Sequence, residues 1–194
     1  LKANGYLVNN KQLLISDSCT LILPYHKAID KAREQSLSTE KIGTTGKGIG
    51  PAYEDRAARR ALILSDIFEP NLLEKKLEFA LSEKNALLEI VYGLEKFSAT
   101  ELKKTLLKMA EELAPYRCKD ASAVVHRQQK SGRRVLFEGA QGALLDILHG
   151  TYPFVTSSST IAGSACTGAG IGPTSINQVL GIFKAYTTRV GSGP

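Results

Sequence analysis

Phe137-Glu138-Gly139-Ala140-Gln141-Gly142-Ala143-Leu144-Leu145-Asp146 follows directly on Arg133-Arg134-Val135-Leu136. The run ending at Phe137 is short, apolar and β-branched, which predicts a buried strand. Leu144, Leu145 and Ile147 predict the inner face of a short helix. Between them, Gly139-Ala140-Gln141-Gly142 is a turn of small residues around one large polar side chain. Small residues let a ligand approach the backbone, and a helix N-terminus favours an anion or a polarised oxygen. Open α/β sheets place ligands at such strand–turn–helix junctions. An ordinary turn with a solvated Gln141 fits the same ten residues.

Working outward, His149-Gly150-Thr151-Tyr152-Pro153-Phe154-Val155-Thr156-Ser157-Ser158 ends in a hydroxyl cluster that runs on to Thr160. Thr45-Gly46-Lys47-Gly48-Ile49-Gly50-Pro51 and Thr167-Gly168-Ala169-Gly170-Ile171-Gly172-Pro173 share the frame Thr-Gly-x-Gly-Ile-Gly-Pro, each with Pro at an expected helix start. Neither is a Walker loop, because Gly46-Lys47 is followed by Gly48 and Lys41 stands at the first glycine position. The spacing also fails the dinucleotide fingerprint. Thr44, Thr45 and the glycine amides nevertheless form a set of donors suited to phosphate. Thr156 and the serines after it form another, and Arg59 can supply a bidentate fork. Helix-end electrostatics account for Glu54, Asp55, Arg59 and Arg60 equally well.

The remaining chain reads as scaffold. Leu13-Leu14-Ile15 predicts a short strand, Leu21–Leu23 a second short element, and Pro24 the start of a helix to about residue 36. Residues 70–94 carry Leu73, Leu77, Ala80, Leu81, Leu87, Leu88 and Val91 at helical spacing, ending at Gly93. Ser98-Ala99-Thr100-Glu101 is a capping-box sequence opening a helix with Leu102, Leu106, Met109, Ala110 and Leu113 inward. A third helix runs from Asp120 to Gly132, and Val179–Thr188 predicts a closing strand. Strands interleaved with helices give an α/β fold.

Hydrophobic content of 43% and charged content of 23% are ordinary for a globular chain. No apolar run approaches the roughly 20 residues of a membrane span. Cys19, Cys118 and Cys166 are too scattered for a metal or disulfide framework, which predicts a reducing, cytoplasmic setting. The net charge of +6 suits an anionic ligand. Nucleic-acid binding is the rival of a different class; it rests on charge and Arg133-Arg134, without interleaved aromatics. Glu138 with Asp146 as an acid–base pair, and Ser157, His149 and Asp146 as a hydrolytic triad, are weaker readings, the latter lacking a nucleophile elbow.

Ile42–Arg60, Phe137–Ser158 and Val179–Pro194 closely resemble the middle of the adenylosuccinate synthetases, and the resemblance spans essentially all 194 residues. It implies an α/β fold with a mostly parallel sheet related to P-loop GTPases and a helical insertion before the Phe137 strand. It implies a ligase that joins IMP to L-aspartate with GTP and Mg2+, acting in the cytoplasm as a homodimer, without nucleic acid or membrane. Thr45 and Thr156 would contact the 5′-phosphate of IMP. Arg59 would reach that phosphate in the partner subunit. Gln141 would face the six-position of the hypoxanthine, which GTP phosphorylates and from which aspartate then displaces the phosphate. The family's Gly-Asp-Glu-Gly-Lys-Gly-Lys loop, its catalytic aspartate and histidine, and its guanine-reading segment are absent from these residues. The expectation is an internal fragment, inactive alone, with no catalytic residue and few magnesium ligands; a stand-alone domain that binds a nucleotide without turning it over is the alternative. Within it, residues 1–133 would be mostly helical, with the IMP-phosphate loop at 42–51, and 134–194 a strand–helix–strand part of the sheet. Lys47, Leu148 and Ser159 depart from the family's usual residues at their positions.

Overall fold

The computed structural model describes residues 2–6, 9, 12–37, 43–186 and 188. Ile42 and the tail 189–194, included in the expectations above, lie outside the described residues. The chain divides into two compact units, Leu1–Tyr25 with Glu54–Ala121, and His26–Tyr53 with Ser122–Pro194.

In the first unit, β1 (Ile15–Ser16) pairs in parallel with β2 (Arg117–Cys118), aligning Ile15 with Arg117 and Ser16 with Cys118. The guanidinium of Arg117 fastens this pairing. It donates to both carboxylate oxygens of Asp17, at 2.8 and 2.9 Å, and lies 4.3 Å from the Phe68 ring centroid. Two parallel hydrogen bonds to a carboxylate fix orientation as well as energy. Beyond β1 the chain runs beside residues 62–65: the Leu21 amide donates to Leu62 O and the Leu64 amide to Cys19 O, both at 2.9 Å. The predicted element at Leu21–Leu23 is therefore a bridged extended segment.

The helical insertion is present. α3 (Pro70–Ala86) continues as a wider π-helical turn over Leu87–Val91 and stops at Gly93, whose φ is +63°. Leu73, Leu77, Leu81 and Leu88 are buried, as their spacing predicts. Val91 is 64% exposed instead, because the extra residue of a π turn rotates the following side chains off the helical stripe. α4 (Ala99–Leu113) packs on α3 through Leu102, Leu106 and Ala110. The Ser98 hydroxyl caps it by accepting from the Glu101 amide at 3.3 Å. Met109, expected inward, flanks this narrow stripe and is half exposed. Each buried leucine contributes about 1.5–3 kcal/mol relative to exposure, so the α3–α4 contact is the main apolar support of this unit.

α2 (Ile49–Ala57) starts two residues earlier than Pro51 predicts. Glu54 and Asp55 consequently miss its first turn, and the macrodipole explanation for them fails. Asp55 is fully buried and forms an ion pair with Lys84 of α3, Oδ1 to Nζ 2.6 Å, with Lys84 itself only 5% exposed. Burial first, and the Asp55 charge second, hold the Tyr25 phenol above its usual pKa range.

The second unit contains most of α1 (Pro24–Ser36), the glycine loop after it, α5 (Ala121–Lys130) and the chain from 131 onward. Ile29 and Ala32 of α1 are buried and Ala28 is half-buried. The predicted strands at 133–137 and 179–188 do not form among the described residues, and the 143–145 helix is one 3-10 turn. A strand exists only through its ladder, and these runs meet no partner backbone here. Leu136 is 86% exposed and Phe183 95%. The α/β class stands on helices with a small parallel sheet. The two copies of the glycine frame also diverge. Gly48 precedes the start of α2, whereas Gly170, at φ +65°, closes α6 (Ser164–Ala169). Pro173 opens only a three-residue 3-10 turn.

Candidate functional site

The site begins on α1. Asp30 and Glu34 are four residues apart, so they share one face of the helix. Asp30 accepts from the Thr44 hydroxyl at 3.0 Å and from the Gly48 amide at 2.8 Å, and Glu34 accepts from the Gly43 amide at 3.0 Å. The loop 43–48 is thereby pinned to the helix at both ends. Gly48 is obligatory there. Its φ is +80°, and a Cβ would lie 2.8 Å from the Lys27 amide nitrogen; no side chain can occupy that space without moving backbone. Between loop and helix lies a cavity of about 270 Å³ lined by Lys31, Glu34, Gln35, Thr44, Thr45 and Gly46. Thr45 is exposed at this cavity. The Lys31 stem lies along Gly46, with Cγ 3.5 Å from where a Cβ would be, which brings a cation to the loop. The loop's far end touches the hydroxyl cluster, since a Cβ on Gly50 would stand 3.3 Å from Ser157 Oγ.

The hydroxyl cluster is tied in turn to the Gln141 turn. The Thr156 amide donates to Leu145 O at 2.8 Å, the Ile147 amide to Ser158 O at 3.2 Å, and the Thr160 hydroxyl to Gly142 O at 2.8 Å. At the centre is Asp146, with no exposed surface. One carboxylate oxygen accepts from the Leu148 and His149 amides, at 2.9 and 3.0 Å. The other accepts from the Ser159 hydroxyl at 3.0 Å and the Thr160 amide at 2.6 Å. Burial alone would raise its pKa. The amides of Leu148, Thr160 and His149 and the Ser159 hydroxyl outweigh that and hold the carboxyl well below the usual carboxylate range. A carboxylate so held is a fastener. It does not exchange protons near neutrality, so the acid–base pairing with Glu138 does not survive; the triad with Ser157 and His149 fails on geometry, because both carboxylate oxygens are engaged by backbone amides and the Ser159 hydroxyl. Its folded pKa is depressed, so its stabilisation is complete above the ordinary aspartate value near 4 and fades as pH falls further. Hydrogen-exchange protection across 142–161, relative to the intrinsic amide rate, should therefore fall below about pH 4, and Asp146→Asn should remove that dependence. A flat acid profile in the unsubstituted protein would contradict this.

Gln141 and Arg59 share an unusual backbone. They are the two non-glycine residues with positive φ among the described residues, at +63° and +62°. Arg59 sits just past α2. The Arg60 amide donates to Asp55 O at 2.8 Å and the Arg59 amide to Arg56 O at 3.1 Å. That is the bonding of a Schellman helix end, whose left-handed position is usually glycine. α5 ends with the same two bonds, Arg133 to Gln128 O and Gly132 to Gln129 O, and there the left-handed residue is Gly132. An arginine in that place costs on the order of 1–2 kcal/mol of backbone strain.

Thr45, Gln141 and Thr156 thus fall in the second unit and Arg59 in the first. Sequence reasoning missed Asp30, Glu34 and Lys31. Their signal was present: two acids one helical turn apart, a lysine between them, directly before a glycine loop. Among the described residues, no group of three or more His, Cys, Asp or Glu is placed to hold a metal ion. None of their helices is long and apolar enough to cross a membrane.

A glycine loop braced on a helix, a lysine along it and a row of hydroxyls at its end give this α/β protein a set of groups chemically suited to an anion. The sequence profile of adenylosuccinate synthetase matches residues 1–194. The adenylosuccinate synthetase of Bdellovibrio bacteriovorus is 67% identical over the whole chain, and that of Bordetella pertussis 54%. The chain spans 45% and 44% of those two relatives' length. A solved structure of fully ligated adenylosuccinate synthetase from Plasmodium falciparum superposes with a TM-score of 0.86 at 30% identity, covering 95% of this chain and 43% of that one. The chain belongs to the adenylosuccinate synthetase family.

Proposed function

We propose that these residues form the IMP-holding part of a GTP- and Mg2+-dependent ligase of the cytoplasm. The ligase joins IMP to L-aspartate, making adenylosuccinate for AMP biosynthesis. Thr45 and Thr156 bind the 5′-phosphate from one subunit of a homodimer, and Arg59 completes the same site from the other. Gln141 binds the six-position of the base. The braced loop at the Thr45 cavity is the observation that supports this most. Asp30 holds the loop through Thr44 and Gly48, so the exposed Thr45 is presented at the cavity before any ligand arrives, and Lys31 adds positive charge. Preformed donors cost little ordering on binding. The roles proposed for this chain are binding and orientation.

Arg59 supplies the test. Its left-handed backbone is where glycine is more stable, so Arg59→Gly in a full-length synthetase carrying this sequence should leave stability unchanged or raise it by up to about 1 kcal/mol. IMP affinity should fall about 10- to 150-fold, the loss of a guanidinium–phosphate contact worth about 1.5–3 kcal/mol. Calorimetry on both properties reads the two effects separately, and unchanged IMP affinity would remove Arg59 from the site. Mixed dimers of Arg59→Gly and Gln141→Ala subunits should regain one intact site. Failure to regain activity while subunits exchange would rule out sharing.

A further inference from the structure

Asp30 is a buried carboxylate facing the loop that the proposed function assigns to a phosphate, where a negative charge needs a reason. It is 7% exposed, and its two oxygens hold the Thr44 hydroxyl and the Gly48 amide from behind. A donor engaged by Asp30 is not free for a ligand. Asp30 therefore decides which donors of the loop remain for the cavity: the Thr45 hydroxyl and the neighbouring amides, with Lys31 alongside. It also holds Gly48, whose closeness to Lys27 and His26 leaves no room for a side chain there. Among the described residues Glu34 holds the Gly43 amide, at the edge of the loop, whereas Asp30 reaches Thr44 and Gly48.

We propose that Asp30 is the positioning residue of the IMP-phosphate loop, acting through Thr44 and Gly48 and not by touching the ligand. This rests on the phosphate-loop reading given above. It predicts a specific kinetic split in a full-length synthetase carrying this sequence. In Asp30→Ala, KM for IMP rises at least tenfold. KM for GTP and for aspartate stay within about twofold, and kcat at saturating IMP within about threefold. Asp30→Asn restores most of the affinity, because its carbonyl oxygen can accept from Gly48 and its amide can donate to the Thr44 oxygen. A purely structural aspartate predicts otherwise: less folded protein, with all three KM values unchanged.

Should Asp30→Ala fail to fold, Asp30→Glu keeps the charge but pushes the loop out by one methylene. KM for IMP should then rise alone. Unchanged KM for IMP in the folded variant overturns the proposal, as does a parallel shift in all three constants, or an Asp30→Asn enzyme no better than Asp30→Ala. Thr45→Ala separates the two levels of inference. If it raises KM for IMP and the Asp30 variants do not, only the positioning role fails. If neither does, the phosphate-loop reading itself fails.

Discussion

Gln141→Ala in a full-length synthetase carrying this sequence should lower turnover by on the order of 100-fold while weakening IMP binding only a few-fold. The reason is where charge builds. In the proposed site the ground state is held largely through the phosphate, by Thr45, Thr156 and Arg59, and those contacts would remain. The six-position gains charge only as the phosphoryl group transfers, and removing one fixed donor at such a centre typically costs 10²- to 10³-fold. The backbone at Gln141 sharpens the test. With φ at +63°, a change to glycine relieves strain, so Gln141→Gly should match Gln141→Ala in turnover with no loss of stability. Gln141→Glu should be worse than either, since a carboxylate repels the incoming phosphoryl group. Single-turnover kinetics beside IMP titrations distinguish these outcomes. Equal losses in affinity and none in turnover would make Gln141 a binding residue only.

Lys84→Ala should cost about 3–5 kcal/mol of stability, the usual penalty for stranding one partner of a buried ion pair. Asp55, with no exposed surface, would lose the ammonium that balances it. Replacing both partners together, Lys84→Met with Asp55→Leu, should recover most of the loss, because neither charge then remains to be solvated. Urea unfolding of the single and double variants measures both. A loss below 1 kcal/mol in Lys84→Ala would mean that water reaches the pair.

What could be read from sequence follows the range of the forces involved. Helices α3, α4 and α5 were legible because their signals are local: leucine spacing, Ser98 before Glu101, Gly132 after the last turn. The strands at 133–137 and 179–188 were not, because propensity says nothing about whether a partner backbone is present. Val91 and Met109 went astray by small rotations, one through a π turn and one at the edge of a stripe. At the site, the glycine loop and the hydroxyl cluster announced themselves by composition. Their supports did not. Asp30 and Asp146 look like surface acids in sequence, and only the fold turns backbone amide and hydroxyl donors onto each carboxylate. The left-handed backbone at Arg59 was equally hidden, since nothing in Arg56–Arg60 asks for it.

The uncovered run Val179-Leu180-Gly181-Ile182-Phe183-Lys184-Ala185-Tyr186 has a practical consequence. It holds one charge and no proline, and Leu180, Ile182 and Phe183 are each at least 84% exposed. Such a segment is a template for intermolecular β-pairing. Preparations of this 194-residue polypeptide will clump more readily as they are concentrated, with Lys184 the sole gatekeeper in the run. A second charge beside it, at Gly181 or Ala185, is the simplest route to a well-behaved sample.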